Sequence, residues 1–237
     1  MYNIILPTYN ESVNIVPMIG LLTDVFNKME QSFIIIVVDD NSPDQTAGIV
    51  EKLKNPNVKL IKRKQKLGLG SAYKTAAKEC HYKYTIIIDS DLQHSPLAIL
   101  GMSKLLNKAD IITGTRYISK VIDDQQVIGK VCGWNFYRKL VSATANNLAR
   151  YILDLKTTDL TGSFRIYKTE VFKKLVKMVH SNGFGFQVEI IALAEKNNCN
   201  IEEFPIVFYN RRAGESKLNS FEIFRFIFMI IVLYFRI

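Results

Sequence analysis

Cysteine is nearly absent. The 237-residue chain has three, Cys80, Cys132 and Cys199, far apart in sequence. An odd number at these separations argues against a disulfide framework and offers no zinc spacing, so a reduced, cytosolic setting is expected. Histidine is equally scarce: His81, His94 and His180 are scattered, and none is read as a zinc ligand. There is no Walker phosphate loop, and Gly68-Leu69-Gly70 lacks the later glycine of the dinucleotide fingerprint. Phosphate-loop hydrolases and dinucleotide-dependent dehydrogenases are therefore disfavoured. No zinc-finger, helix-turn-helix or RNA-binding signature accompanies the basic charge, which leaves nucleic acid unsupported as a partner. Repeats, low-complexity tracts and Pro- or Ser-rich linkers are missing too, so residues 1–219 read as one domain. Near the C-terminus the uncharged stretch Phe226 to Phe235 is ten residues, against the roughly 20 that a spanning helix needs. Residues 220–237 are expected to form a short apolar helix lying at a membrane interface; the alternative is a helix packed on the core. Because Tyr2–Leu6 already reads as a strand, no signal peptide is expected before it.

What the chain does have is enough apolar residues (48%) for one α/β core, and a net charge of +9 that favours an anionic partner. Apolar runs at Tyr2–Leu6, Phe33–Val38, Val58–Ile61, Tyr84–Ile88 and Asp110–Thr115 read as strands. Helical patterns separate them, reaching to about Lys28 and covering about Gln45–Lys54, Ser71–Cys80 and Pro96–Leu106. Such alternation means parallel strands joined by crossover helices. The second half is less regular. Val127–Leu153 patterns as one long helix, Tyr151–Arg165 as loop and strand, Phe186–Lys196 as a helix, Phe204–Tyr209 as a strand and Arg211–Lys217 as a basic loop.

Polar residues follow nearly every strand at its carboxyl end, the edge where open α/β sheets bind ligands. The sharpest group is Asp89-Ser90-Asp91-Leu92-Gln93-His94. Two carboxylates two residues apart on extended chain face the same way and repel. A divalent cation with an anionic substrate resolves the repulsion, and carboxylate and amide oxygens suit magnesium or manganese. The plain alternative is a solvated acidic turn. Asp39 and Asp40 end the second strand, where an acidic residue can accept hydrogen bonds from ribose or base. Asn41 and Asp44 fit an Asx turn capping the next helix, and Glu11 suits either task. Arg63, Lys64 and Lys66 read as a solvated basic face. Arg116, Arg138, Arg165, Arg211 and Lys217 lie near other motifs, and arginine forks match phosphate oxygens, although each alone could be a surface residue. Arg138 and Ser142 stand at i, i+4 on one helix face, an arrangement that can grip an anion.

Further blocks are Pro7-Thr8-Tyr9-Asn10-Glu11, Val38 to Asp44, Leu67 to Tyr73, Gly114-Thr115-Arg116-Tyr117, Asp159 to Arg165 and Gly214-Glu215-Ser216-Lys217-Leu218. With the acidic block, and in this order, the chain resembles the dolichyl-phosphate mannosyltransferases of the family 2 glycosyltransferases from Asn3 to about Leu218. The resemblance implies a GT-A fold, an α/β nucleotide-sugar-binding domain with a mostly parallel central sheet flanked by helices. It implies GDP-mannose as donor, dolichyl or another polyprenyl phosphate as acceptor, and an inverted, β-linked mannosyl phospholipid made at the cytoplasmic face of a membrane. It assigns Asp89, Asp91 and Gln93 to a divalent cation (Mg2+ or Mn2+), and Pro7, Tyr9, Glu11, Asp39 and Asp40 to the donor nucleotide. Arg116, Arg211 and Lys217 fall near the phosphates, with Asp91, Arg211 and Lys217 at the reacting centre. Arg138 and Ser142 match the grip on the acceptor phosphate, while Ser163, Arg165, Gln187 and Glu189 match the sugar and acceptor side. An acceptor that is already an anion needs positioning but no general base, so the want of a catalytic histidine agrees with this reading. The competing readings are a polyprenyl-phosphate glucosyltransferase using UDP-glucose, and a non-catalytic basic module that binds anionic membranes.

Overall fold

The computed structural model describes residues 1–122, 125–134, 136–210 and 220–237, with 125, 136–137 and 220–227 described as backbone. In β1 (Tyr2–Thr8), Ile5 enters one apolar core while Ile4 and Leu6 enter another. β2 (Phe33–Asp39) does the same with Ile36 and Val38 against Ile35 and Val37. Alternate side chains leave a strand on opposite faces, so a continuous apolar run marks a strand covered on both sides. The covering helices carry apolar residues at helical spacing. In α1 (Ile15–Lys28) these are Ile15, Met18, Ile19, Leu22, Val25 and Phe26.

The first half continues as α2 (Thr46–Lys52), β3 (Val58–Lys62), α3 (Leu69–Ala77), β4 (Tyr84–Ile87), α4 (Ala98–Ser103) and β5 (Ile111–Thr115). The five strands expected in this half are present. The second half departs from its pattern. Val127–Leu153 is not one helix: a hairpin of β6 (Ser119–Ile122) and β7 (Gln125–Ile128) precedes β8 (Lys130–Val131), and α5 runs only over Phe136–Leu153. Gly129 separates β7 from β8. A Cβ there would lie 2.6 Å from Thr115 O and 2.7 Å from Ile118 O, so the chain passes this point against backbone. Then come β9 (Arg165–Lys168), α6 (Thr169–Met178), α7 (Phe186–Lys196), β10 (Ile201–Pro205), β11 (Val207–Phe208) and α8 (Ser220–Arg236). The strand expected over Phe204–Tyr209 is thus two, because β10 pairs with β5 whereas β11 pairs with β8.

The main sheet has the order β10-β5-β9-β4-β1-β2-β3. All its neighbours are parallel except β9, which runs antiparallel between β4 and β5. Arg165 opens β9 opposite Ile87 and Thr113. The chain entering β9 therefore arrives at the same edge that β1, β2, β4 and β5 leave. Residues 157–164 and 88–94 are brought together by this one reversed strand.

No described helix is long and apolar enough to cross a membrane. Ile230 and Leu233 of α8 join the core that also holds α3, α6 and α7 residues. Phe228, Ile231, Val232, Tyr234 and Phe235 are exposed. Over residues 228–235 the helix is therefore packed on one side and apolar on the side that faces outward.

Candidate active site

The edge begins at β1 and β2. Thr8 Oγ1 donates to Asp39 Oδ1 (2.9 Å), Ser42 N to Asp39 Oδ2 (2.9 Å) and Ser42 Oγ to Asp39 Oδ1 (2.6 Å). Ser42 Oγ also accepts from Asn10 N at 3.0 Å. Asp39 thus knits together the turns that leave the first two strands, and its buried carboxylate is engaged inside the protein. Asp44 forms the expected Asx turn, accepting from Ser12 N (2.9 Å) and Thr46 N (3.1 Å), while the N-cap position of α2 is Gln45. Glu11, also buried, accepts from Asn14 Nδ2 at 2.8 Å.

Asp40 reaches the third turn. It accepts from Leu67 N (3.2 Å) and Gly68 N (3.1 Å) and pairs with Arg63. Arg63 is not part of a solvated basic face. It is buried, and it donates to Ser71 Oγ (2.7 Å) and Gly68 O (3.1 Å). A carboxylate at the end of the neighbouring strand outweighed the pull of solvent, which local composition cannot reveal. Lys64 and Lys66 are exposed as expected, and Lys66 Nζ lies 4.0 Å from the ring centroid of Tyr9. Gly68 has φ +92°, and a Cβ there would lie 2.5 Å from Asn182 O, so this turn requires glycine.

Past β4 stands the acidic turn. Ser90 Oγ donates to Pro7 O (3.2 Å), which ties it to β1. Asp89 Oδ2 accepts from Ser163 Oγ (2.7 Å), which ties it to the chain entering β9. Leu92 has φ +61°, a left-handed conformation that costs a branched residue on the order of 1 kcal/mol. The turn is held by Gln93 N donating to Asp91 Oδ1 (3.1 Å) and by Gln93 Nε2 donating to Tyr209 O (3.0 Å). With its nitrogen engaged, the Gln93 amide has Oε1 as its remaining end. Asp91 is buried. Among the described residues no group of three or more His, Cys, Asp or Glu converges as a metal site. The set suggested by the sequence is of another kind, two carboxylates and one amide, and such hard oxygens on one turn fit Mg2+ or Mn2+.

His94 closes the turn and was not singled out in the sequence as a site residue. It is buried against Phe164 (5.4 Å) and Phe208 (4.9 Å), with Nε2 3.5 Å from Ser163 Oγ. Burial pushes its pKa down to about 4, so the ring is neutral near pH 7. Its position directly after Gln93 was the available signal.

Arg116, at the end of β5, forms a bidentate pair with buried Asp159: Nε–Oδ2 2.7 Å and Nη2–Oδ1 2.8 Å. Its backbone N adds a third bond to Oδ2 (3.1 Å), and Nη2 also donates to Thr161 Oγ1 (2.8 Å). Burial alone would raise the Asp159 carboxyl, but the charge and hydrogen bonds of Arg116 hold it below the usual carboxylate range. Phe208 links this pair to α5. The Arg116 guanidinium lies 5.4 Å from its ring, Trp134 meets that ring edge-on at 5.7 Å, and Arg138 stacks on Trp134 at 4.2 Å. Ser142 Oγ is 3.2 Å from Tyr117 OH.

Three expected sugar- and acceptor-side residues lie behind this edge as braces. Arg165 is wholly buried and donates to Thr113 Oγ1 (3.2 Å), Leu160 O (2.9 Å), and both Gln187 O and Oε1 (2.9 Å each). Gln187 Nε2 in turn donates to Tyr73 OH (3.2 Å). Glu189 accepts from His180 N (2.7 Å) and Ser181 N (2.9 Å) and pairs with Arg236 of α8. Their positions on β9 and α7 turn them into the interior. Arg211 and Lys217 lie outside the described residues.

Comparison with known proteins places these observations. A model of "Glycosyl transferase family 2" matches residues 3–176. The chain is 30% identical over 222 residues to an undecaprenyl-phosphate mannosyltransferase of Micrococcus luteus, covering 91% of this chain and 86% of that protein. It is 32% identical over 228 residues to a polyprenol monophosphomannose synthase of Mycolicibacterium smegmatis, covering 92% and 80%. Among solved structures, glucosyl-3-phosphoglycerate synthase from Mycobacterium tuberculosis in complex with Mn2+, UDP and glucosyl-3-phosphoglycerate superposes with a TM-score of 0.68 at 15% identity, covering 98% of this chain and 79% of that one. That likeness shows the GT-A fold that the family resemblance implied.

Proposed function

Since the chain belongs to glycosyl transferase family 2, we propose that it moves mannose from GDP-mannose to dolichyl or another polyprenyl phosphate, at the cytoplasmic face of a membrane. The observation that carries this reading is one juxtaposition. The acidic turn Asp89–Gln93 and the Arg138–Ser142 face of α5 adjoin through His94, Phe208 and Trp134, so a diphosphate-linked sugar and a phosphate acceptor have neighbouring seats.

Asp89, Asp91 and Gln93 would hold a divalent cation, which when bound neutralises charge developing on the departing diphosphate. Arg138 and Ser142 hold the acceptor phosphate, with an oxygen directed at C1 of the sugar. That oxygen forms the new C1–O bond as the bond to GDP breaks, GDP leaves with the electron pair, and the configuration inverts. No proton moves, so the work of the protein is to orient two anions and offset their repulsion. Arg116, locked to Asp159, directs its guanidinium along the edge, and Arg211 and Lys217 supply positive charge in this reading.

The test is transfer of labelled mannose from GDP-mannose into organic-extractable product, with and without Mg2+ or Mn2+. Cation-dependent label is expected, and GDP should protect against heating more than UDP does. Product from UDP-glucose in its place, with stronger protection by UDP, would overturn the donor assignment.

The outward face of α8 is read as the membrane contact. Replacing both Phe228 and Phe235 by Asp should lower co-sedimentation with anionic vesicles by roughly tenfold or more, since each removes on the order of 1–3 kcal/mol of apolar burial. Protection by GDP should remain. Unchanged sedimentation would exclude this face.

A further inference from the structure

A cavity of about 210 Å³ lies beside α5 and is lined by Tyr117, Ala143, Asn146, Asn147, Arg150 and Thr158. Its wall is firmly built. Buried Asn146 donates through its amide to Thr158 O and accepts from Leu160 N at 2.9 Å. Thr158 is held in turn by Glu203 Oε1, to which its N and Oγ1 both donate at 2.7 Å. The cation at this wall is Arg150. Its Nη2 donates to Lys156 O at 3.2 Å, whereas its Nε is buried with no partner, and no carboxylate pairs with it among the described residues. A buried donor without an acceptor costs about 1–3 kcal/mol, and this one belongs to a guanidinium that lines the cavity. Guanidinium forks match phosphate oxygens, and Tyr117 and Asn147 add further donors to the same cavity.

The cavity also continues the proposed acceptor seat. Tyr117 OH, one of its lining groups, is 3.2 Å from Ser142 Oγ. Positions 142, 146 and 150 step by four along α5 and share one face.

We propose that this cavity binds a phosphate oxyanion through Arg150, and that it extends the acceptor headgroup seat from Ser142 towards Arg150. The second part rests on the acceptor reading above; the first does not. The full chain, Arg150→Gln and Arg150→Lys are compared with two probes, inorganic phosphate and a soluble short-chain polyprenyl phosphate. Phosphate binding, followed by calorimetry, should weaken about tenfold in Arg150→Gln and persist in Arg150→Lys. The KM for the polyprenyl phosphate should rise about tenfold in Arg150→Gln, while kcat, the donor KM and thermal protection by GDP change less than about twofold. Inorganic phosphate should compete with the acceptor in the wild type.

Loss of phosphate binding with an unchanged acceptor KM would assign the cavity to free phosphate and overturn its link to the acceptor. Phosphate binding and acceptor KM both unchanged in Arg150→Gln would overturn the subsite. If the wild type transfers no sugar to the lipid, the acceptor reading fails and the phosphate arm still decides the cavity. Should Arg150→Gln lose GDP protection, exposed Asn147→Ala serves as the second variant, with a smaller change in the same direction expected.

Discussion

Asp91→Asn should lower mannosyl transfer by about a thousandfold or more while leaving the protein folded and slightly more heat-resistant. Asparagine keeps the shape and can still accept the bond from Gln93 N that holds the turn. What is lost is one of two like charges at the end of β4. Metal-assisted neutralisation of a leaving group contributes several kcal/mol, and each 1.4 kcal/mol is about tenfold in rate. The sign for stability is opposite, because the variant removes one of two like charges carried two residues apart on the same turn. Transfer rates across a Mn2+ titration, Mn2+ binding by EPR and thermal melts without cation separate the two effects. A rate within tenfold of wild type, or unchanged Mn2+ binding, would remove Asp91 from the cation set.

Asp159→Asn should have the largest effect on stability. It leaves the Arg116 guanidinium buried with its charge uncompensated, for which a loss of about 3–5 kcal/mol is typical. In a chain of this size that corresponds to a Tm lower by roughly 10 °C. The pH dependence follows from the direction of the shift. The folded Asp159 carboxyl lies below its ordinary value. The stabilisation is therefore complete above that ordinary value and is lost as pH falls through the folded one. Wild type should lose Tm on acidification from neutral pH towards about pH 3, and the gap to Asp159→Asn should narrow over the same range. A gap under about 3 °C at neutral pH, or one that stays constant on acidification, would mean the pair does not contribute in this way.

The strands of the first half were legible because most are continuous apolar runs, as in β1 and β2, or alternate with exposed lysines, as in β3, and each ends in a polar turn. That signal is local. The acidic block was legible for the same reason, sitting directly after β4. What sequence did not reveal was pairing across distance. Arg63 reads as surface until Asp40 is beside it, and Arg165 reads as a phosphate ligand until Gln187, Leu160 and Thr113 surround it. β9 was hidden because it has four residues and begins with that arginine. The helix expected from Val127 was cut short because Gly129 and the β11–β8 pairing claim its first turns. The sequence sets His94 aside as a zinc ligand but gives it no role, because nothing in composition marks a neutral, buried histidine.

The reversed strand β9 also bears on the order of folding. β5 has no place in the main sheet until β9 lies between it and β4, and β10 pairs onto β5. During synthesis, a chain ending short of Lys168 can assemble β3-β2-β1-β4, which carries the Asp39, Asp40 and Asp89 turns of the edge. Its β4 then presents an open row of backbone groups, the kind of edge that invites pairing with another chain. Closing it requires contacts between residues some 80 apart, such as Ile86 with Ile166, and non-local pairing of this kind is slow. The acidic turn and the segment carrying Asp159 and Ser163 therefore meet only after most of the polypeptide has emerged. Nascent chains arrested just before β9 should be the aggregation-prone species of this protein.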